Sequence, residues 1–174
     1  MPTFPRPLRD EHRDLMPGVE RLRSAAEAVG EVPLALVRSQ VGRAVEFLTG
    51  RLLPHADAEE RGLYPVVARL MGAPEATRTM CEDHLEIARL TVELQVLEAE
   101  LLGPEIAAPA AHELRRVLYA LHTLITTHFL KEEKVYLPML EERLTPGEAI
   151  RMFRAMERVA REARTTQAVI QKAG

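Results

Sequence analysis

Six polar residues stand where a helical core calls for leucine or valine, and they come in two matched sets. The first set is His12 with His55-x-x-x-Glu59; the second is His84 with His128-x-x-x-Glu132. The lone histidines are 72 residues apart and the two His/Glu pairs 73. Each pair is followed by a second glutamate (Glu60, Glu133) and then by Tyr64-Pro65 or Tyr136-x-Pro138. A carboxylate in a dry interior is costly unless something compensates it. Any fold this chain adopts must therefore compensate six polar positions at once.

The surrounding pattern is helical. Apolar residues recur at steps of three and four through nearly the whole chain, the signature of amphipathic helices. The first stripe runs Leu8, Leu15, Val19, Leu22 and Val29, stopping at Gly30 with Pro33 behind it. The second runs from Leu34 to Leu63, the third from Met80 to Leu101, and the fourth from Leu114 to Met139. A fifth begins at Thr145-Pro146-Gly147-Glu148, a capping box with proline at the first helical position. Short connections between the first four make neighbours antiparallel. The sequence thus predicts an all-α fold, an up-down-up-down four-helix bundle over residues 1–144. A C-terminal helix over 145–174 docks on it through Ile150, Phe153, Met156, Val159 and Ala163. Prolines 17, 54, 65 and 138 fall inside the helices and are expected to kink or end them locally.

Composition narrows the function classes. A net charge of −3 gives no basic field for nucleic acid. The lone Cys81 excludes an internal disulfide framework and a cysteine-ligated zinc or iron–sulfur site, and suits a reducing compartment. The N-terminus has no apolar core of signal-peptide length, and no run is long enough to span a bilayer. A cytoplasmic protein is expected. The fifth helix carries six basic and three acidic residues, read as a solvated face, with a protein-partner surface as the alternative.

Histidine and glutamate four apart project the same way, about 6 Å apart along the axis. His12 and His84 sit near the starts of their helices, whereas His55 and His128 lie toward the far ends of theirs. In an antiparallel bundle these positions meet at one level, so four helices deliver ligands to one cluster. Four imidazoles and two carboxylates are too many for one structural zinc and too nitrogen-rich for calcium or magnesium. Two ions sharing two bridging glutamates would each have four protein ligands and keep open positions. Iron is the first choice and manganese the second. A metal-free His–Glu network is the plainer alternative, but it buries charge without evident gain.

In these residues the sequence resembles the haemerythrin-like, or HHE cation-binding, proteins over about residues 6–142. Their order of His, His-x-x-x-Glu, His, His-x-x-x-Glu is matched by His12, His55, Glu59, His84, His128 and Glu132. The resemblance implies a four-helix bundle around two iron ions bridged by Glu59, Glu132 and an oxo or hydroxo group. His12 and His55 would serve one ion, and His84 and His128 the other. It also implies a small diatomic or peroxide ligand and a role in oxidative or nitrosative stress, with no membrane partner. Peroxide- or nitric-oxide-directed oxidoreductase activity is one form of that role. The alternative is a non-enzymatic iron- or redox-sensing module that acts through a partner. The oxygen carriers have a second histidine four residues after that on the third helix, where this chain has Ala88. Their last carboxylate follows its histidine by five rather than four. The site therefore looks more open, and closer to that of the bacterial iron-centre-repair proteins, although the cysteine-bearing domain many of those carry has no counterpart in these residues.

The remaining candidates carry less. His112 and His122 fall off the seam of the fourth helix and are placed at the surface, with a hydrogen bond to a ligand residue as the alternative for His122. Glu60 and Glu133 point to solvent or cap a ligand histidine. Cys81 is read as an inert thiol, and Tyr64 and Tyr136 as packing residues beside the prolines, with gating the pocket or donating to a bound oxygen species as the alternative.

Overall fold

A computed structural model describes the backbone of residues 6–173 and the side chains of residues 8–163. Residues 1–5, part of the N-terminal stretch read for a signal-peptide core, lie outside the described residues, as do the side chains of Arg164 and Lys172 in the basic fifth helix. Among the described residues there are five helical rods: α1 (Arg6–Ala28), α2 (34–71), α3 (Arg78–Glu100), α4 (108–143) and α5 (Pro146–Ala173). The first four close a ring in which α1 packs on α2 and α4, and α3 packs on the same two. Gly72, at a left-handed φ of 65°, ends α2; a turn of 3-10 helix at Pro74–Thr77 leads into α3. Among the described residues no strand occurs, and no helix is long and apolar enough to cross a membrane.

The core is split in two. A larger apolar cluster gathers Leu15, Val19, Leu22, Leu48, Leu94, Leu118, Leu121, Ile125 and their neighbours. A smaller one gathers Leu8, Leu63, Val67, Met80, Leu137 and Leu140. Between them lie the six motif residues. On α1, Leu8 belongs to one cluster and Leu15 to the other, with His12 between; on α3, Met80 and Ile87 flank His84 in the same way. The antiparallel order therefore stacks all four histidines in one polar layer.

The prolines do not end the helices they fall in. Proline has no N–H, and its ring strikes the carbonyl four residues back. The helices nonetheless run on. Pro17 lies inside an uninterrupted α1. Before Pro54, Pro65 and Pro138 the helix instead opens into a π turn, at Leu48–Leu52, Glu59–Leu63 and Glu132–Tyr136. Leu53, Tyr64 and Leu137, each just ahead of a proline, donate their N–H five residues back, to Leu48, Glu59 and Glu132. The extra residue absorbs the proline without ending the rod. Single π turns of this kind gather at functional sites, and two of these three begin at the motif glutamates.

The capping box forms as read: Thr145 Oγ1 donates to Glu148 Oε2 (2.7 Å) and accepts from the Glu148 N–H (3.4 Å). Helix α5 packs along α2 over 53–63, burying Ala149, Met152, Met156 and Val159. Phe153 is half-buried, but Ile150, expected at the interface, is 52% exposed. Ala149 and Met152 take its place, whereas Met156 and Val159 are buried as expected. A Cβ at Gly62 would lie 2.5 Å from Met156 Cγ and 3.0 Å from its backbone nitrogen, so only glycine allows this approach of α5 to α2. Arg151, Arg154, Arg158 and Arg161 are exposed, as a solvated face requires.

Replacing Gly62 by Ala should therefore lift α5 away from α2 and destabilise the protein by about 1–3 kcal/mol, as overpacking of a close contact does. Urea unfolding and hydrogen exchange along α5 measure this; an unchanged midpoint with unchanged α5 protection would show that the contact does not hold the helix.

Candidate metal centre

The polar layer brings all six predicted residues together. Glu59 and Glu132 are fully buried, and His12, His55, His84 and His128 are at most 5% exposed. Glu59 spans the cluster. Its Oε1 lies 3.0 Å from His55 Nε2 and 3.6 Å from His12 Nε2. Its Oε2 lies 3.5 Å from His84 Nε2 and 4.0 Å from His128 Nε2. Glu132 spans it in the other sense, with Oε2 3.3 Å from His12 Nε2 and Oε1 3.8 Å from His128 Nε2. His84 Nε2 and His128 Nε2 stand 2.9 Å apart. Two groups of three therefore emerge around Glu59, one with His12 and His55, the other with His84 and His128.

The outer edge of each ring is held as well. His84 Nδ1 donates to Glu60 Oε1 (2.9 Å), His128 Nδ1 to Asp83 Oδ2 (3.1 Å) and His12 Nδ1 to Glu133 Oε1 (3.3 Å). His55 Nδ1 lies within ion-pair distance, 3.2 Å, of Glu11 Oε1. A carboxylate facing Nδ1 places the proton there and leaves Nε2 to face the cluster. Carboxylate–histidine pairs of this kind fix the orientation and raise the basicity of metal-ligating rings. Of the two roles read for Glu60 and Glu133, the structure selects the cap on a histidine. Sequence reasoning missed Glu11 and Asp83. Their signal was present, since each immediately precedes a lone histidine (Glu11-His12, Asp83-His84). It went unread because each serves the histidine of a neighbouring helix.

Tyr64 needs correction. Expected as packing beside a proline, it is 2% exposed, and its hydroxyl donates to Glu132 Oε1 (2.9 Å) beside His84 Nε2 (3.4 Å) and His128 Nε2 (3.3 Å). Its ring also stacks near His84, with centroids 5.5 Å apart. Tyr136 is the packing residue: its hydroxyl donates to the Ala76 carbonyl (2.8 Å), pinning the α2–α3 connection. Phe129 forms the wall of the other half, stacked on His12 at 4.2 Å and edge-on to His55 at 5.7 Å. His112 is exposed, His122 pairs with Glu20 (3.4 Å) away from the layer, and Cys81 is half-buried against the smaller core. Ala88 lies half-buried on α3, one turn beyond His84.

The cluster's electrostatics are those of a place built for a cation. Burial alone would lower His12, but the Glu132 and Glu59 carboxylates beside it hold it up at about 9. His55 is raised against its own burial by Glu59 and Glu11, and His84 by Glu59 and Glu60. Burial, with the neighbouring His84 charge, brings His128 down to about 4. Glu59 is held well below the usual carboxylate range by His55, His12 and His84 despite its burial. Burial and the Glu59 charge push Glu132 up to about 7. The raised histidines (His12, His55 and His84) thus supply positive charge beside the depressed Glu59 carboxylate, whereas burial pushes His128 and Glu132 toward their neutral forms.

They do not satisfy the hydrogen bonding. Seven buried side-chain atoms among the described residues lack a partner, and six belong to this cluster: His12 Nε2, both His55 ring nitrogens, both Glu59 oxygens and Glu132 Oε2. Five of the six face the middle of the layer. Native proteins rarely leave such atoms unpaired, and imidazole nitrogens with carboxylate oxygens form a donor set that suits a first-row transition metal. The buried His/Glu groups suit a metal centre.

Residues 4–140, most of the chain, match the family described as Hemerythrin HHE cation binding domain. The chain belongs to that family, and its all-helical bundle with a buried His/Glu layer agrees. Comparisons with curated proteins and with solved structures return no match.

If the outer carboxylates orient the rings for a metal, Asp83→Asn and Glu60→Gln should each weaken metal binding about 10–100-fold while the fold persists. Titration of the metal-free protein with ferrous iron under anaerobic conditions reads this directly; unaltered affinity in both variants would remove these residues from the site.

Proposed function

We propose that this chain is a non-haem di-iron protein whose centre binds or reduces a small oxidant: dioxygen, hydrogen peroxide or nitric oxide. Its setting would be the oxidative or nitrosative stress response of a cytoplasm. The six ligands in this reading are His12, His55, Glu59, His84, His128 and Glu132. His12 and His55 would hold one ion, His84 and His128 the other, with Glu59 and Glu132 between them; manganese is the second choice of metal. The observation that carries the reading is the convergence of unpartnered, fully buried nitrogen and carboxylate atoms on one layer. The division of Glu59, Oε1 toward one histidine pair and Oε2 toward the other, supports the bridging role. When bound, a pair of iron ions supplies two accessible oxidation levels and open positions for a small ligand.

The chain's own residues would do the rest. Glu11, Glu60, Asp83 and Glu133 hold the rings so that ligand atoms need little reorganisation. Phe129 and the leucine-rich clusters above and below exclude water, which strengthens the local electrostatics. Residues 1–144 form the site-bearing bundle in this proposal, and residues 145–174 an accessory helix.

One observation favours a sensing role as a second reading. Helix α5 rests on the same stretch of α2 that carries His55 and Glu59, through the tight Gly62–Met156 approach. A groove of about 420 Å³ between them is lined by Glu11, Ala58, Phe153 and Met156. A change in metal or oxidation state that moved Glu59 would reach α5 through this contact and alter what it offers a partner.

Metal analysis with an optical spectrum tests the first reading. It expects about two irons per chain, as in other di-iron carboxylate bundles, and near-ultraviolet bands that vanish on reduction. Glu59→Ala and His128→Ala should each lose most of the iron. Absence of transition metal, or one tightly held zinc without such bands, sinks the proposal. Rapid mixing of the reduced protein with dioxygen, peroxide and nitric oxide then identifies the oxidant, and no reaction with any of them favours the sensor.

A further inference from the structure

The two halves of the centre differ in one group. Around His12 and His55 the remaining wall is the Phe129 ring, which has no donor atom. Around His84 and His128 it is the Tyr64 hydroxyl. We propose that Tyr64 Oη is a metal ligand of the His84/His128 position, so that the two ions have different donor sets and only one carries a phenolate. The proposal rests on the di-iron reading above.

The geometry is that of ligands sharing an ion. Donor atoms about 2.0–2.2 Å from one first-row ion stand roughly 2.8–3.6 Å apart for angles from 90° to tetrahedral. Tyr64 Oη lies 3.4 Å from His84 Nε2, 3.3 Å from His128 Nε2 and 2.9 Å from Glu132 Oε1, and the two nitrogens are 2.9 Å apart. Every one of these separations falls in the window. A phenol has one proton to donate, and here it goes to Glu132. Toward the two nitrogens the oxygen can present only lone pairs, which a cation between the three atoms would take up. The phenol O–H bond breaks as the metal–oxygen bond forms, and the displaced proton is released to buffer.

The π turn explains why this tyrosine reaches the site and its apparent twin does not. On a regular α-helix a residue five positions on lies about 140° round, and one four positions on lies about 40° round. Tyr64 is five after Glu59, but the intervening π turn holds one extra residue, with the Tyr64 N–H bonded back to the Glu59 carbonyl. That returns Tyr64 to the face of Glu59. Tyr136 is only four after Glu132 and sits inside its π turn. It is turned away, to Ala76. In the frame of the duplication, Tyr64 corresponds to Leu137, which is fully buried in the smaller core.

The test is to load the metal-free protein anaerobically with ferrous iron, oxidise it in air, and compare it with Tyr64→Phe and Tyr136→Phe. Wild-type and Tyr136→Phe proteins are expected to be coloured by a broad visible phenolate-to-iron(III) band. Excitation in that band should enhance phenolate ring vibrations that shift when the tyrosines are ring-deuterated. Tyr64→Phe keeps the ring packed beside His84 and should retain most of its iron while losing the visible band and those vibrations. The labelling experiment stands on wild-type protein, so a poorly folding variant does not remove the test. Iron bound by wild type with no phenolate signature, or a signature that survives Tyr64→Phe, overturns the tyrosine ligand and leaves the di-iron reading intact. Failure of the wild type to bind iron overturns both.

Discussion

The structure depends on two glutamates held in full burial at the centre of an apolar bundle. A leucine at either position would contribute about 1.5–3 kcal/mol by being buried, whereas an unpaired carboxylate there costs several kcal/mol and would dominate its surroundings. The bundle accepts Glu59 and Glu132 only because a histidine arrives from each of four helices at the same level. That single requirement accounts for much else. It fixes the antiparallel order, since only up-down-up-down winding aligns early histidines on α1 and α3 with late ones on α2 and α4. It also divides the core, with apolar packing above and below holding the layer closed.

The polar layer is in turn held from outside. Each ring nitrogen that faces away from the cluster meets an acidic side chain that is itself partly exposed, 17% for Asp83 and 38–49% for the other three. Placing the outer charges near water keeps their desolvation small while the hydrogen bonds still orient buried rings. The raised histidines surround the Glu59 carboxylate and solvated anions line the rim, so the layer is a shell of alternating charge rather than a pair of isolated ions. Buried polar networks stabilise when every member is satisfied and destabilise when some are not. Here the unsatisfied members are concentrated at the middle, where a metal would sit.

Much of this was legible in the chain. The duplicated His-x-x-x-Glu pairs and lone histidines named the six residues that converge, because ionisable side chains on a core stripe are costly to bury unless they meet one another. The capping box at Thr145 and the stop at Gly30 located helix ends for local reasons that neighbours do not override. What was not legible depended on two things a periodic reading lacks. Glu11 and Asp83 serve histidines on other helices, so their partners are set by packing rather than by spacing. Tyr64, Leu137 and the prolines depend on where a helix departs from 3.6 residues per turn, and each π turn shifts every later residue by one position. On α5 the expected Met156 and Val159 are buried, but at its start Ala149 and Met152 take the place read for Ile150.

The duplication also shows where symmetry was kept and where it was lost. The six central residues and their four outer carboxylates obey it: Glu60 caps His84 as Glu133 caps His12, and Glu11 faces His55 as Asp83 faces His128. The next neighbours do not. Phe129 corresponds to Ala56, Tyr64 to Leu137, and α5 covers the His55–Leu63 face of α2. Symmetric residues answer the electrostatic demand of two buried carboxylates, a demand that is equal in both halves. Asymmetric ones answer no such demand, since either half could have been walled by leucine. A one-residue offset of a tyrosine against its glutamate, combined with a π turn that both halves share, is enough to give one half a hydroxyl and leave the other dry. In the proposed di-iron centre, inequivalent positions of this kind would let a small ligand meet one ion by an apolar wall and the other beside an ionisable oxygen. The local irregularity of the helix, rather than the repeated motif, therefore sets the chemical difference between the two halves.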